Sequence, residues 1–208
     1  MITEVGTTKN KINAKISRIK RKDINWISSH PIAGSEVSGP QNGNENLFVN
    51  KWTVIIKQKN LQSLEMKKIF KFWKFLGSKP VIMDADQHDK IFAITSHLPH
   101  LIAYNLILTA TNFEISNKNN VLRFSAGGLR DFSRIAASNE IMWRDIFFNN
   151  KKNMLKVIDN FIKNLKIFKQ DIKSNRKNLE TKLKNLKKVR QKIVLLKQDT
   201  SKPDFGRV

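Results

Sequence analysis

The sequence contains no cysteine among its 208 residues. This absence excludes a disulfide framework and any metal site built on thiolates, and it makes a reducing cytoplasm the expected compartment. The chain has no uninterrupted run of eighteen apolar residues, and its first residues lack the apolar core of a secretion signal. From these absences we expect a cytoplasmic protein without a membrane-spanning helix.

Acidic residues are also scarce, since 17 Asp and Glu face 39 Lys and Arg for a net charge of +22. Such a charge suggests nucleic-acid binding, because Lys and Arg neutralise phosphates. However, the basic residues are 30 Lys and only 9 Arg, and base recognition favours the planar fork of Arg. The excess is largest in residues 151–202, with 17 basic and 4 acidic side chains. A solvated lysine-rich helix face is favoured, and a nucleic-acid module is the less favoured alternative.

The first part of the chain alternates short apolar runs with helical spacing. Ile24–Ser29 and Trp52–Ile56 are predicted to be buried strands. Leu61–Leu76 has apolar residues at helical spacing and is followed by Gly77, a natural helix C-cap. Pro80–Met83 is predicted to be another strand, so that strand, helix and strand indicate a parallel α/β layer.

From Asp84 onward the pattern is helical. Ala85–Thr109 is apolar at helical spacing and is predicted to kink or restart at Pro99. Ser138–Asn149 is a further predicted helix. The tail carries a heptad-like apolar seam, predicted to form two helices broken at Ser174–Asn175 that pack as a hairpin or against a partner subunit. The seam consists of Met154, Ile158, Phe161, Leu165, Phe168 and Ile172, then Leu179, Leu186 and Ile193.

One histidine and one pair of histidines offer acid–base or metal chemistry. His30 ends a predicted strand and precedes a long polar loop, where ligands bind in open α/β sheets. It is either an acid–base group or a strand-end histidine satisfied by backbone groups, and the spacing favours neither. His97 and His100 could share a helix face, but no carboxylate cluster accompanies them, so we predict no metal site.

Residues 125–145 are dense in groups suited to binding. Gly127 and Gly128 permit close backbone approach, and Arg130 and Arg134 are one helical turn apart. Arginine is suited to bidentate recognition of carboxylates. The alternative is a surface set of ion pairs among Arg130, Asp131 and Asp145, which would contribute little energy.

Several long segments, in the same order, resemble the prephenate/arogenate (cyclohexadienyl) dehydrogenase family. They are TEVGTTK (3–9), HPIAGSEVSGP (30–40), HDKIFAITSHLPHLIAYNL (88–106), GGLRDFSRIAASNEIMWRDIF (127–147) and PDFGR (203–207). The resemblance implies an α/β plus all-α protein. Residues 1–84 would be the C-terminal half of a Rossmann-type nucleotide domain, residues 85–199 an all-helical substrate and dimerisation domain, and residues 200–208 a disordered tail.

The resemblance also implies roles for individual residues. His30 would be the catalytic histidine that hydrogen-bonds the ring hydroxyl of the substrate, assisted by Thr7 where the family usually has a serine. Gly6 and Thr7 would contact the cofactor, and Arg134 would grip the ring carboxylate. The other residues of the substrate pocket would be Glu36, His100, Gly127, Arg130 and Trp143, with Gly127 and Trp143 able to enter it across a dimer interface.

The implied reaction is the NAD+- or NADP+-dependent oxidative decarboxylation of prephenate, arogenate or both, in tyrosine biosynthesis, by a homodimer. No two of the eight glycines are spaced G-x-G, so the chain does not contain the phosphate-binding fingerprint G-x-G-x-x-G. We therefore expect an N-terminally incomplete dehydrogenase that binds NAD+ weakly by itself. A non-catalytic dimerising helical remnant is the alternative.

Overall fold

The computed structural model describes residues 1–19, 23–34, 39–57, 63–118, 120–175 and 177–196. Glu36 and the predicted disordered tail lie outside these residues. The chain divides into two compact units, residues 1–158 and residues 159–208, and each unit is described by itself.

The first unit begins with a small sheet and continues with helices. Its strands are β1 (Ile2–Glu4), β2 (Trp26–Pro31), β3 (Trp52–Ile56) and β4 (Lys79–Met83). Its helices are α1 (Asn10–Ile16), α2 (Leu64–Phe75), α3 (Ala85–Phe92), α4 (Leu98–Asn117), α5 (Gly127–Ala136), α6 (Glu140–Asn149) and the beginning of α7 (Lys151–Lys173), whereas α8 (Leu179–Leu195) belongs to the second unit. Short 3₁₀ turns occupy Pro40–Asn42 and Leu122–Phe124.

The sheet has the strand order β1-β2-β3-β4 and mixed directions. β1 is parallel to β2. β3 is parallel to β4, as the strand–helix–strand pattern predicts. However, β2 and β3 pair antiparallel, so the expectation of a uniformly parallel layer is wrong at this position. The described part of the connection between β2 and β3 contains only a 3₁₀ turn, and antiparallel strands do not require a crossover helix.

Two apolar clusters cover the two faces of the sheet. On one face, Ile27 and Ile55 pack with Met66, Ile69 and Trp73 of α2. On the other face, Val54 and Ile56 pack with Phe92 of α3. Alternate residues of β3 therefore serve different clusters, as the period-two geometry of a strand requires.

The ends of α2 follow from local chemistry. The Ser63 hydroxyl accepts a hydrogen bond from the Met66 backbone N–H at 3.2 Å, which caps the helix start. Gly77 has a φ of +78°, and the N–H of Ser78 donates to the Trp73 carbonyl at 3.0 Å. This is the Schellman arrangement that favours glycine at the helix C-cap, and it confirms the predicted end of the helix.

Residues 85–117 are continuously helical, with a π-helical turn at Ala93–His97 and Pro99 in the first turn of α4. Contrary to the prediction, the helix does not stop and restart at Pro99, and the irregularity in this region is the π-helical turn that precedes it. By length and composition this helix is apolar enough to cross a membrane, and 22% of its most apolar window is buried. The lack of an uninterrupted apolar run therefore does not exclude a spanning helix, contrary to the sequence argument, because a helix tolerates interspersed Ser, Thr and Asn.

The second unit contains the end of α7 and all of α8, so the predicted break is confirmed. Asn175 adopts a left-handed conformation with a φ of 46° between the two helices. Lys182 of α8 forms an ion pair with Asp171 of α7 and lies 5.1 Å from the centre of the Phe168 ring. Much of the apolar seam is exposed, including Leu165 at 57% and Leu186 at 52%.

Candidate active site

The strand register directs His30 toward α3. His30 pairs with Val54 and Ser29 pairs with Ile55 across β2 and β3. Because paired residues share a face, Ser29 faces α2, where its hydroxyl accepts a hydrogen bond from the Trp73 indole N–H at 3.1 Å. The His30 ring faces the opposite side and lies edge-on to Phe92, with ring centres 4.8 Å apart. His30 is therefore a buried side chain of the sheet face covered by α3.

A chain of hydrogen bonds joins His30 to two neighbouring residues of α3. His30 Nδ1 lies 2.7 Å from His88 Nε2. His88 Nδ1 lies 2.9 Å from Asp89 Oδ1. His88 is fully buried and Asp89 is 1% exposed. His30 therefore hydrogen-bonds a side chain. The alternative that backbone groups satisfy this histidine does not hold among the described residues.

Asp89 also fixes the start of α1. Its Oδ1 accepts a hydrogen bond from the Lys9 backbone N–H at 2.9 Å, and its Oδ2 accepts one from the Asn10 backbone N–H at 2.9 Å. The buried Lys9 ammonium donates to Glu4 Oε1 at 2.7 Å and to the Ser29 carbonyl. These contacts join the β1–α1 connection, β2 and α3 around His30.

The electrostatic environment keeps His30 uncharged. Burial lowers the pKa of His30 to about 3, and the charges of His88, Lys9 and His97 act in the same direction against the opposing effect of Asp89. Burial alone would raise the pKa of Asp89, but its hydrogen bonds from His88, Asn10 and Lys9 leave that pKa below its usual value. At neutral pH the site therefore contains a neutral His30 imidazole and an ionised Asp89 carboxylate.

A second cluster contains His97, His100 and Trp143. The His100 ring stacks on Trp143 with ring centres 3.6 Å apart, and His100 Nδ1 lies 3.0 Å from the Ser96 carbonyl. The Asn150 amide nitrogen donates to the Asp89 carbonyl at 2.7 Å and lies 3.2 Å from His97 Nδ1. Within the described ranges, His97 Nε2 and Trp143 Nε1 are buried without a hydrogen-bond partner.

The predicted carboxylate-binding residues lie on α5. Arg130 and Arg134 are both exposed and one turn apart, and Gly127 and Gly128 form the first turn of the helix. Space is open where either glycine would carry a side chain. Asp145, a member of the alternative surface set, forms an exposed ion pair with Arg144 at 2.8 Å.

The predicted cofactor contacts lie at the sheet edge that carries His30. Gly6 and Thr7 follow β1, which is parallel to β2, so they share the edge at which β2 presents His30. The Gly6 N–H donates to Glu4 Oε2 at 2.7 Å. Thr7 is half-buried, and the described hydrogen bonds of His30 go to His88 rather than to Thr7.

Sequence reasoning assigned no role to His88, Asp89 or Lys9. The available signal was weak: His88 and Phe92 are one helical turn apart on the apolar side of α3, and a carboxylate follows the histidine. A buried lysine has no sequence signature, because its burial depends on partners distant in sequence. Over the described residues, no group of three or more potential metal ligands occurs.

Two family models match consecutive parts of the chain. Residues 1–82 match the nucleotide-binding domain of prephenate dehydrogenase, and residues 84–189 match the dimerization domain of prephenate dehydrogenase. Together the two matches extend over most of the sequence and meet at the beginning of the helical part.

Individual proteins agree with these matches. A cyclohexadienyl dehydrogenase from Zymomonas mobilis is 36% identical over 159 residues, which cover 74% of this chain and 54% of that protein. A prephenate dehydrogenase from Bacillus subtilis is 32% identical over 165 residues, 79% of this chain and 44% of that protein. The structure of A. aeolicus prephenate dehydrogenase in complex with hydroxyphenyl propionate and NAD+ superposes with a TM-score of 0.85 at 33% identity, covering 93% of this chain and 67% of that one. The chain spans about half the length of the curated relatives it matches.

Proposed function

The chain belongs to the prephenate dehydrogenase family, and on that basis we propose that it acts in the oxidative decarboxylation of prephenate, arogenate or both. The observation that carries this proposal is His30, a buried neutral imidazole at the sheet edge shared by β1 and β2. The stacking of His100 on Trp143 and the arginines of α5 support a substrate pocket in the helical part.

His30 acts on the ring hydroxyl of the substrate. As the carbon that bears this hydroxyl loses hydride, the hydroxyl proton passes to the free ring nitrogen of His30. The ring carboxylate then leaves as carbon dioxide, and His30 returns the proton to the phenolic oxygen. Because the pKa of His30 is lowered to about 3, the proton acceptor is available throughout the physiological pH range.

Arg134 holds the ring carboxylate and thereby orients the ring. His100, Trp143, Arg130 and Gly127 would line the same pocket, and Glu36, outside the described residues, is proposed as a further member. Because Arg134 is exposed in the single chain, we propose that a second copy covers this surface in a homodimer. The match of residues 84–189 to a dimerization domain and the exposed apolar seam support that assembly.

We place the dinucleotide at the strand ends that carry His30. Gly6 and Thr7 lie at the carboxyl end of β1, where nucleotide ligands bind in open α/β sheets. When bound, NAD+ or NADP+ supplies the acceptor of the hydride. Gly6 and Thr7 would hold the dinucleotide and His30 would supply the proton acceptor at the same strand ends. The relative from A. aeolicus was solved with NAD+. The cytoplasmic location stays a prediction.

The proposal is tested by binding and by turnover. Calorimetry with prephenate, arogenate and hydroxyphenyl propionate measures ligand binding by the chain as it stands. Reduction of NAD+ and NADP+ is measured for the chain alone and for the chain joined to the amino-terminal part of the A. aeolicus nucleotide-binding domain, which contributes a complete dinucleotide site. We expect binding of at least one ring dicarboxylate and turnover of the joined protein. The absence of both binding and turnover, in the chain alone and in the joined protein, would overturn the proposal.

A further inference from the structure

The contacts of His30 determine which of its two ring nitrogens carries the proton. We infer that Asp89 and His88 hold His30 in the tautomer protonated on Nδ1, which leaves Nε2 of His30 as the atom that accepts the substrate proton. The role of Nε2 as proton acceptor rests on the proposed function, whereas the tautomer of His30 is a property of this chain alone. Asp89 and His88 are positioning residues, since each acts on the substrate only through His30.

The carboxylate of Asp89 is surrounded by hydrogen-bond donors. It accepts from two backbone N–H groups, those of Lys9 and Asn10, which can only donate. With its oxygens directed at donors and its pKa below the usual value, Asp89 is ionised and can only accept from His88. His88 Nδ1, 2.9 Å from Asp89 Oδ1, therefore carries a hydrogen.

The ring of His88 passes the effect of Asp89 on to His30. Burial lowers the pKa of His88, although the hydrogen bond to Asp89 opposes this effect. A neutral His88 with hydrogen on Nδ1 has a lone pair on Nε2. His30 Nδ1 lies 2.7 Å from that lone pair, so His30 donates and its own Nε2 is unprotonated. Each hydrogen bond of the chain is satisfied by this single arrangement.

The competing arrangement has a doubly protonated His88. It would donate to His30 Nδ1 and force the hydrogen of His30 onto Nε2, so that His30 could not act as a base. This arrangement places a second positive charge in a buried region that already contains the Lys9 ammonium, whose charge acts on His88. Asp89 is the counter-ion available to a charged His88, but the cost of burying the charged ring outweighs this attraction and keeps the pKa of His88 below its ordinary value.

Nuclear magnetic resonance of the four histidines tests this arrangement and does not depend on catalytic activity. Long-range ¹H–¹⁵N spectra of the ¹⁵N-labelled chain at neutral pH distinguish protonated from unprotonated ring nitrogens. We expect His30 and His88 to be protonated on Nδ1. His97 is an internal control, expected to be protonated on Nε2 because its Nδ1 accepts from Asn150. A His30 protonated on Nε2 would overturn the inference.

A variant tests whether His88 is the cause. His88→Gln replaces the acceptor that Asp89 orients with a carboxamide, which can present either its oxygen or its NH₂ group to His30, and we expect the Nε2-protonated form of His30 to appear. His100→Gln, on the same helical segment with its Nδ1 on the Ser96 carbonyl, should leave the His30 tautomer unchanged. If both variants leave it unchanged, His88 does not set the tautomer. The spectra of the unsubstituted chain decide the first question even if His88→Gln fails to fold.

Turnover tests the link to function separately. In the joined protein, His88→Gln should lower kcat roughly 10- to 100-fold and leave KM within about twofold, because it misplaces a proton acceptor rather than a binding group. An altered His30 tautomer with unchanged kcat would refute the positioning role. Absence of turnover in the unsubstituted protein would refute the proposed function and leave the tautomer assignment standing.

Discussion

The Asp89 carboxylate accepts the backbone N–H of Lys9 at 2.9 Å, although 80 residues separate the two in sequence. This contact makes one carboxylate serve both the start of α1 and the histidine pair of the site. The position of His30 and the fold of the β1–α1 connection are therefore coupled through Asp89.

The first prediction concerns the stability supplied by this carboxylate. Asp89→Asn should lower the free energy of unfolding by about 2–4 kcal/mol, because a carboxamide has a single acceptor oxygen and its NH₂ must face one of the N–H donors. Urea denaturation measures the change. Asp86→Asn is the matched control on the same helix, since Asp86 forms an exposed ion pair with Lys90, and it should change stability by less than about 0.5 kcal/mol. Equal effects of the two substitutions would contradict the buried capping role.

The second prediction concerns stability as a function of pH. The pKa values of His30 and His97 are lowered to about 3 and about 4 in the folded chain, chiefly by burial. Below the unfolded pKa of about 6.5, the unfolded state binds more protons than the folded state, so stability falls as pH falls. Each histidine should remove about 2 kcal/mol between pH 6.5 and pH 5, with little change above pH 7.

Urea denaturation at a series of pH values checks this slope. Asp89 does not contribute in that window, because its pKa is already below the ordinary 3.8. His97→Gln should remove only the contribution of His97 to the slope, because burial also lowers the pKa values of His30, His88 and His100. A free energy of unfolding that is constant from pH 7 to pH 5 would show that these histidines are not buried in their neutral form.

The third prediction concerns His30 itself. His30→Asn keeps a polar side chain but removes the proton acceptor, so kcat of the joined protein should fall roughly 10²- to 10⁴-fold with little change in KM. Calorimetry should give the same substrate affinity for both proteins. Retention of most of kcat would show that another group accepts the proton.

The fourth prediction distinguishes the two arginines of α5. Arg134→Gln should weaken prephenate binding roughly 10- to 100-fold, the range expected for loss of a charge-assisted hydrogen bond from an exposed side chain. Arg130→Gln, one turn earlier, should have a much smaller effect. Calorimetry on the chain measures both dissociation constants. Interchangeable effects of the two substitutions would remove Arg134 from its proposed role.

The fifth prediction concerns the apolar seam. Leu186→Lys places a charge on a face that we propose to be covered by a second copy. In a symmetric dimer both subunits carry the substitution, so the interface loses two leucines. Losing the burial of two leucines should weaken dimerisation roughly 100-fold or more. Sedimentation measures the dimer dissociation constant. Phe75→Lys, at an 88% exposed position outside the matched dimerization domain, should leave that constant unchanged. A monomer at tens of micromolar before any substitution would contradict the dimer.

The sequence by itself determined the elements whose signal is local. The strand Trp52–Ile56 is β-branched at every position after Trp52, and α2 has a capping serine, an apolar stripe and a terminal glycine. The break near Asn175 and the helix from Ala85 also follow from short-range patterns. The motif resemblance identified the family, because long segments in the same order are specific where single residues are not.

Only the tertiary structure decided the elements and contacts that depend on distant partners. β1 is three residues long, and α1 has no buried residue, so neither has a pattern of its own. β1 is held by pairing with β2, and α1 by the Asp89 carboxylate. The antiparallel pairing of β2 with β3 likewise turns His30 toward α3. His30, His88, Asp89 and Lys9 gain their arrangement from burial and hydrogen bonds between separate elements, because the free energy of these contacts exists only once the elements have packed together.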